Sequence, residues 1–166
     1  MKFSRILPVT ILAAALAGCA GSISAPTAVQ PLSADQKASL HVSTITADAA
    51  SGVEMSDGDF GLITQQIRNY IQNEAPGVLA DNGLKMQVHF TRFDRGNAFA
   101  RFMLIGLGQI RIDADVLLQD ATGATVAKYK VSKDFALGGV AGGMTTVEDV
   151  EEGFAKSVAE VVKTKV

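Results

Sequence analysis

The sequence predicts an α+β domain: a mixed four-stranded sheet, in the chain order β-α-β-β-β-α, with two amphipathic helices packed on one face. Three observations predict it. Phe60, Ile63, Ile67, Tyr70 and Ile71, and again Val147, Val150, Phe154, Val158 and Val161, recur at the spacing of one helical face. Leu84, Met86, Val88 and Phe90, and then Ile110, Ile112, Ala114, Val116 and Leu118, alternate as half-buried strands do. Asp120-Ala121-Thr122-Gly123 is a turn signal, with glycine placed for a left-handed backbone.

Ahead of this domain the chain has the layout of a secretory signal peptide. Lys2 and Arg5 precede an apolar run from Ile6 to Leu16, far shorter than the roughly 20 residues a bilayer span needs. Leu16-Ala17-Gly18-Cys19 then resembles the lipobox of bacterial lipoproteins, in which cleavage before the cysteine follows acylation of its thiol. That resemblance makes residues 1–18 a cleaved signal peptide and Cys19 the lipidated N-terminus. More than one acyl chain there would anchor the chain stably. Ala20, where inner-membrane lipoproteins usually carry Asp, points to the periplasmic face of the outer membrane. Cys19 is the only cysteine, so no intramolecular disulfide can form, and the lipobox position leaves no catalytic thiol.

Residues 19–38 read as the lipidated cysteine and a flexible tether. The stretch 20–37 has two prolines, small polar residues and no hydrophobic periodicity, and as a coil would span on the order of 25 Å. Residues 39–166 form the domain. A β-rich strand is expected at 39–47, a polar loop at 48–59, and a helix from Phe60 capped by Asp57 or Asp59 and stopped by Pro76-Gly77. Strand 84–90 follows. A strand–helix–strand crossover is right-handed, so these two strands are expected to be parallel.

The segment 110–135 predicts a hairpin. Closing its turn at Gln119 and Ala124 sets Ile112 against Val131, Ala114 against Tyr129 and Val116 against Ala127. On the other face Asp115 then meets Lys128 and Asp113 meets Lys130. After a Gly-rich loop at 135–145, Thr145 with Glu148, or less completely Thr146 with Asp149, forms a capping pair for the last helix. Glu148, Asp149, Glu151 and Glu152 crowd its first turns and Lys163 and Lys165 its end, as the helix dipole favours.

The chemistry is narrowed by what these residues are. Removing residues 1–18 deletes Lys2 and Arg5 from 15 basic residues, leaving 13 against 17 acidic and a net charge near −4. Nucleic acid and anionic surfaces are therefore not expected partners. Gly106-x-Gly108 lacks the third glycine of a dinucleotide loop and leads into a strand, not a helix N-terminus. The glycines at 138–139 and 142–143 do lead into a helix, but its acidic first turns would repel a phosphate. Asp113 and Asp115 face lysines as a solvated ladder. His41 and His89 stand alone on separate strands, short of the three or four ligands a metal needs. No nucleophile motif is present, so neither a cofactor nor a catalytic residue is assigned, and the chain is read as a non-enzyme.

One stretch stands apart: Ala100-Arg101-Phe102-Met103-Leu104-Ile105-Gly106-Leu107-Gly108-Gln109. Apolar on every side if helical, segment 99–107 is either a connector packed over the end of the sheet or a binding surface. The connector reading, with Gly106 and Gly108 letting backbone approach backbone, is the expectation. In it the segment packs on the domain and does not enter the bilayer.

Arg101, Gly106 and Gly108, the strand IRIDADVLLQD, then Asp120, Thr122 and Gly123, and finally the Gly-rich loop and amphipathic helix, resemble a family of proteobacterial lipoproteins. It is catalogued as a domain of unknown function, number 4410. The resemblance covers roughly residues 40–163, and Cys19 fits it. This chain is bulkier at 102–108 than the family pattern. The resemblance implies location and fold but no activity. The expected function is a non-catalytic envelope lipoprotein, held by acyl chains in the outer membrane and acting on an envelope protein through Arg101, Phe102, Met103, Gly106 and Gly108. The rival is a small-ligand or lipid-binding module using 99–107 with the 135–145 loop as lid.

Overall fold

The computed structural model describes residues 23–104, 107–135 and 139–163. The signal peptide, Leu16, Ala17, Gly18, Cys19 and Gly106 lie outside the described residues. The elements are β1 (Thr27–Gln30), α1 (Ala34–Ala38), β2 (Val42–Ala49), α2 (Asp57–Glu74), β3 (Leu84–Asp94), α3 (Ala98–Met103), β4 (Ile110–Gln119), β5 (Thr125–Phe135), α4 (Gly139–Met144) and α5 (Val147–Ala159). The sheet has the order β1-β5-β4-β3-β2, with β2 and β3 parallel across the α2 crossover and the other pairs antiparallel. The fold class is α+β, with five strands among the described residues where four were expected.

The two long helices pack together on one face. Ile63, Ile67 and Ile71 of α2, and Val150, Phe154 and Val158 of α5, are buried against Met86, Val88, Phe90, Ile112 and Val116 from the inner face of the sheet. The core thus lies where two helical stripes meet one pleated face. Ser56, not Asp57 or Asp59, caps α2. Its Oγ accepts from Asp59 N at 3.2 Å while Asp59 Oδ2 accepts from Ser56 N at 2.7 Å, a reciprocal box that leaves Asp59 three residues inside the cap. Thr146 with Asp149 makes the corresponding box on α5, so the fuller-looking pair, Thr145 with Glu148, is not the one used.

The expected tether is part of the fold from Thr27 onward. β1 pairs with β5, and Leu32 is buried, its N–H donating to the Tyr129 hydroxyl at 3.3 Å. Ser33 and Gln36 form a capping box on α1. Upstream, Ser24 N donates to Ser157 Oγ on α5 at 2.7 Å. A single buried leucine and an edge-strand pairing fix this segment; neither makes a periodic pattern.

The hairpin register is shifted by two residues from the expected one. Ala114 pairs with Val131, Asp115 with Lys130, Val116 with Tyr129 and Leu118 with Ala127. The turn closes at Asp120, whose N–H donates to Ala124 O at 3.0 Å, one residue later than expected. Asp120 Oδ1 holds that turn by accepting from Thr122 N at 2.9 Å and Ala124 N at 3.0 Å. An irregularity between Leu118 and Gln119 takes up the second residue. Two single shifts add to an even number, so every side chain keeps its face. Lys128 still reaches Asp115 diagonally, at 2.8 Å. Reversing both charges should therefore cost less than the two single reversals combined, by roughly 0.2–1 kcal/mol in a thermal denaturation cycle. Strict additivity would show that the pair contributes nothing.

Candidate functional site

β3 and β5 finish at the same end of the sheet, where β4 begins, and the chain there carries two short helices packed against each other. Asn97 caps α3, its Oδ1 accepting from Ala100 N at 3.0 Å. Behind the helix the backbone is very tight. Gly96 and Gly108 have φ of 64° and 65°, and a Cβ on Gly108 would lie 2.3 Å from Asn97 O. Only glycine fits such a position. Gly108→Ala should thus lower stability by roughly 1–3 kcal/mol, the cost of strained backbone, read as a shifted urea midpoint. Gly123→Ala has a similar φ but open space around it and should cost less.

Arg101 ties this neck to the neighbouring helices. Its side chain is only 3% exposed; Nη1 donates to Gly108 O at 2.8 Å and Nη2 to Thr145 O at 3.0 Å. Burial pulls the guanidinium pKa down, but a group that starts so high stays charged. A single planar cation so holds together the α3 neck and the residue before the α5 cap.

The outer side of the same two helices is bare. Phe99 is 72% exposed, Phe102 50% and Met144 76%, with Met103, Leu104, Leu107 and Val140 also more than half exposed. Phe102 lies against Gly143, where a Cβ would come within 3.1 Å of the ring. Arg101 is the one charged residue in either helix, and it points inward. The expectation of a packed connector is therefore corrected. The neck is a connector, but the tip is an exposed, uncharged apolar cap, because six-residue helices are too short to turn all their apolar residues inward. Of the expected interaction residues, Phe102 and Met103 are on the cap, while Arg101 and Gly108 build the neck.

Two charged residues at this end are buried, which the sequence alone did not foretell: Glu151 was expected only among the first-turn acids of the last helix, and Lys133 was passed over. Lys133 lies on the inner face of β5, in phase with Val131 and Phe135, and Glu151 lies on the inward stripe of α5. Each breaks an apolar period, and that was the readable signal. Burial raises the Glu151 pKa to about 7, the carboxylates of Asp59 and Glu148 push the same way, and Arg95 opposes them. Asp59 differs. Burial raises its pKa, but the Ser56 backbone and hydroxyl and the Arg95 guanidinium, at 2.7 and 2.8 Å, hold it below the usual range. Arg95 also sits 5.1 Å from the Phe93 ring centre.

Beside the cap, Glu54, Phe93, Asp94, Arg95, Gly96 and Gln109 line an open, polar depression of about 440 Å³. His89 Nδ1 pairs with Asp48 Oδ1 at 2.8 Å on the opposite sheet face, and His41 Nδ1 meets Gly77 O at 3.0 Å. Among the described residues no three His, Cys, Asp or Glu side chains converge as metal ligands. Nor, among these residues, is any helix long and apolar enough to cross a membrane.

Residues 63–139, from within α2 to the start of α4, match the model of a family described as a domain of unknown function, DUF4410. It is the family that the sequence resembles. The DUF4410 match takes in α3, the neck and the β4–β5 hairpin. Among solved structures the chain is similar to a PelC dodecamer from Paraburkholderia phytofirmans, with a TM-score of 0.52 at 9% identity, covering 85% of this chain and 96% of that one. It is also similar to a candidate lipoprotein from Caulobacter crescentus CB15, with a TM-score of 0.41 at 21% identity, covering 69% and 81%. The likeness to the PelC chain concerns fold alone. No curated protein matches the chain.

Proposed function

We propose that this chain is a non-catalytic lipoprotein, anchored through Cys19 at the periplasmic face of the outer membrane, that acts by contact and not by chemistry. The observation that carries the reading is the α3–α4 cap. Exposed phenylalanine, methionine, leucine and valine side chains converge there without an exposed charge, and soluble proteins seldom leave such a surface bare unless it meets something. The lipobox-like Leu16-Ala17-Gly18-Cys19 supports the anchor and Ala20 the outer membrane. Protein contacts, foreseen from the sequence with an envelope protein as partner, belong to the same proposal. The similar PelC structure is a dodecamer, and self-association is one form such contact takes. The small-ligand reading gains nothing from the polar depression beside the cap, which offers an apolar ligand no enclosure.

Two experiments test it. Metabolic labelling with a fatty-acid analogue should mark the parent and not Cys19→Ser; label kept on the serine variant would refute the anchor. A photocrosslinking amino acid at Phe102, activated in intact cells, should yield an adduct with protein or lipid. The same group at Thr122, in the distant hairpin turn, should give much less. Equal or absent adducts at both positions would refute contact through the cap.

A further inference from the structure

We propose that the occupant of the cap is the lipid surface itself: α3 and α4 form a foot that rests in the membrane holding Cys19. The inference rests on the contact reading above and names the partner of that surface. Its first support is the path of the N-terminal segment. β1 runs antiparallel to β5, with Thr27 opposite Lys130 and Gln30 opposite Lys128. Thr27 therefore lies five residues of β5, roughly 17 Å, from Phe135 at the end that carries α4. Ser24 is fastened to α5 by its bond to Ser157 Oγ, ten residues or about 15 Å along the helix from Val147 at the cap end. Between Ser24 and an acylated Cys19 lie residues 20–23 alone, a reach of at most about 17 Å fully extended. The domain is thus held close to the bilayer, on a leash about as long as the distance from the Ser24 anchor to the cap end of the sheet.

The second support is the chemistry of the cap. Phe99, Phe102, Met103, Leu104, Val140 and Met144 expose rings, thioether and aliphatic groups, and no charge has to be desolvated when they leave water. Two helices of about 9 Å each can lie in the headgroup–acyl boundary, into which interfacial helices bury their apolar face by roughly 5–10 Å. Acidic residues nearby, Glu148 and Asp149 at the α5 start, argue against attraction to anionic lipid. The contact is apolar and should be indifferent to salt. A foot of this kind adds a second attachment to the acyl chains and fixes which way the domain faces.

The chain has no tryptophan, so a single one reports its own surroundings. Phe99→Trp and, separately, Met144→Trp would be placed in the acylated mature protein, with Thr122→Trp at the opposite end as control. Each would be reconstituted in phosphatidylcholine vesicles with plain or brominated acyl chains. Both cap reporters should emit at shorter wavelength and be quenched at least roughly twofold by brominated chains, since the boundary lies within reach of them. Thr122→Trp should not be quenched, and added salt should change nothing. Unquenched cap reporters, or quenching equal to that of Thr122→Trp, would overturn the lipid foot. In that event a protein adduct at Phe102 in cells leaves the contact reading standing with a protein partner, whereas no adduct removes both.

Discussion

Phe154→Ala should lower unfolding stability by about 3–5 kcal/mol, measured as a fall in urea midpoint at unchanged slope. The ring is fully buried on α5 and lies 5.4 Å from that of Phe90 on β3; Phe90 in turn meets Phe60 of α2 at 6.1 Å and Phe93 at 6.5 Å. It is the joint between α5 and the sheet, and truncation leaves a cavity there. Domains hold only about 5–15 kcal/mol in all, so a large share of the fold's stability goes with it. Phe102→Ala, by contrast, removes a half-exposed ring and should cost about 1 kcal/mol or less. Comparable losses at the two positions would mean that the cap is core, and the contact reading would fail with it.

A second large effect concerns pH. Glu151 is 2% exposed and its pKa in the fold is raised from 4.5 to about 7. Between these two values the unfolded chain releases the proton while the folded one keeps it, so stability falls as pH rises. The contribution is intact below about pH 4.5 and lost once pH passes 7, on the order of 1–3 kcal/mol across the window. Asp59 and Glu148 repel the ionised form, and Arg95, occupied by Asp59, offsets them only in part. Glu151→Gln should flatten this slope and leave the protein more stable than the parent above pH 7. Stability measured by urea titration at pH 5, 6, 7 and 8 decides it; equal slopes in parent and variant would show that Glu151 does not titrate in this window.

Local pattern determined much of this molecule. Apolar residues at helical spacing in 60–71 and 147–161, and alternation in 84–90 and 110–118, specify which residues face a core, because 3.6 and 2 are geometric periods of the backbone itself. The parallel pairing of β2 and β3 follows from the crossover, and the faces of the β4–β5 hairpin from alternation alone. Its register does not. That was decided by where Asp120 closes the turn and by one irregularity beside Leu118, differences of single hydrogen bonds that leave the pattern of faces unchanged. β1 was likewise invisible, since an edge strand with all four side chains exposed has no apolar period; the Ser33–Gln36 box and Leu32 were its only traces. For the candidate site the sequence singled out the segment around Phe102 but could not say which way its apolar groups point. Exposure depends on how much neighbouring surface is available, and that was decided when the tight neck of Gly96, Gly108 and Arg101 packed α3 against α4, with no strand among the described residues beyond them to cover their outer side.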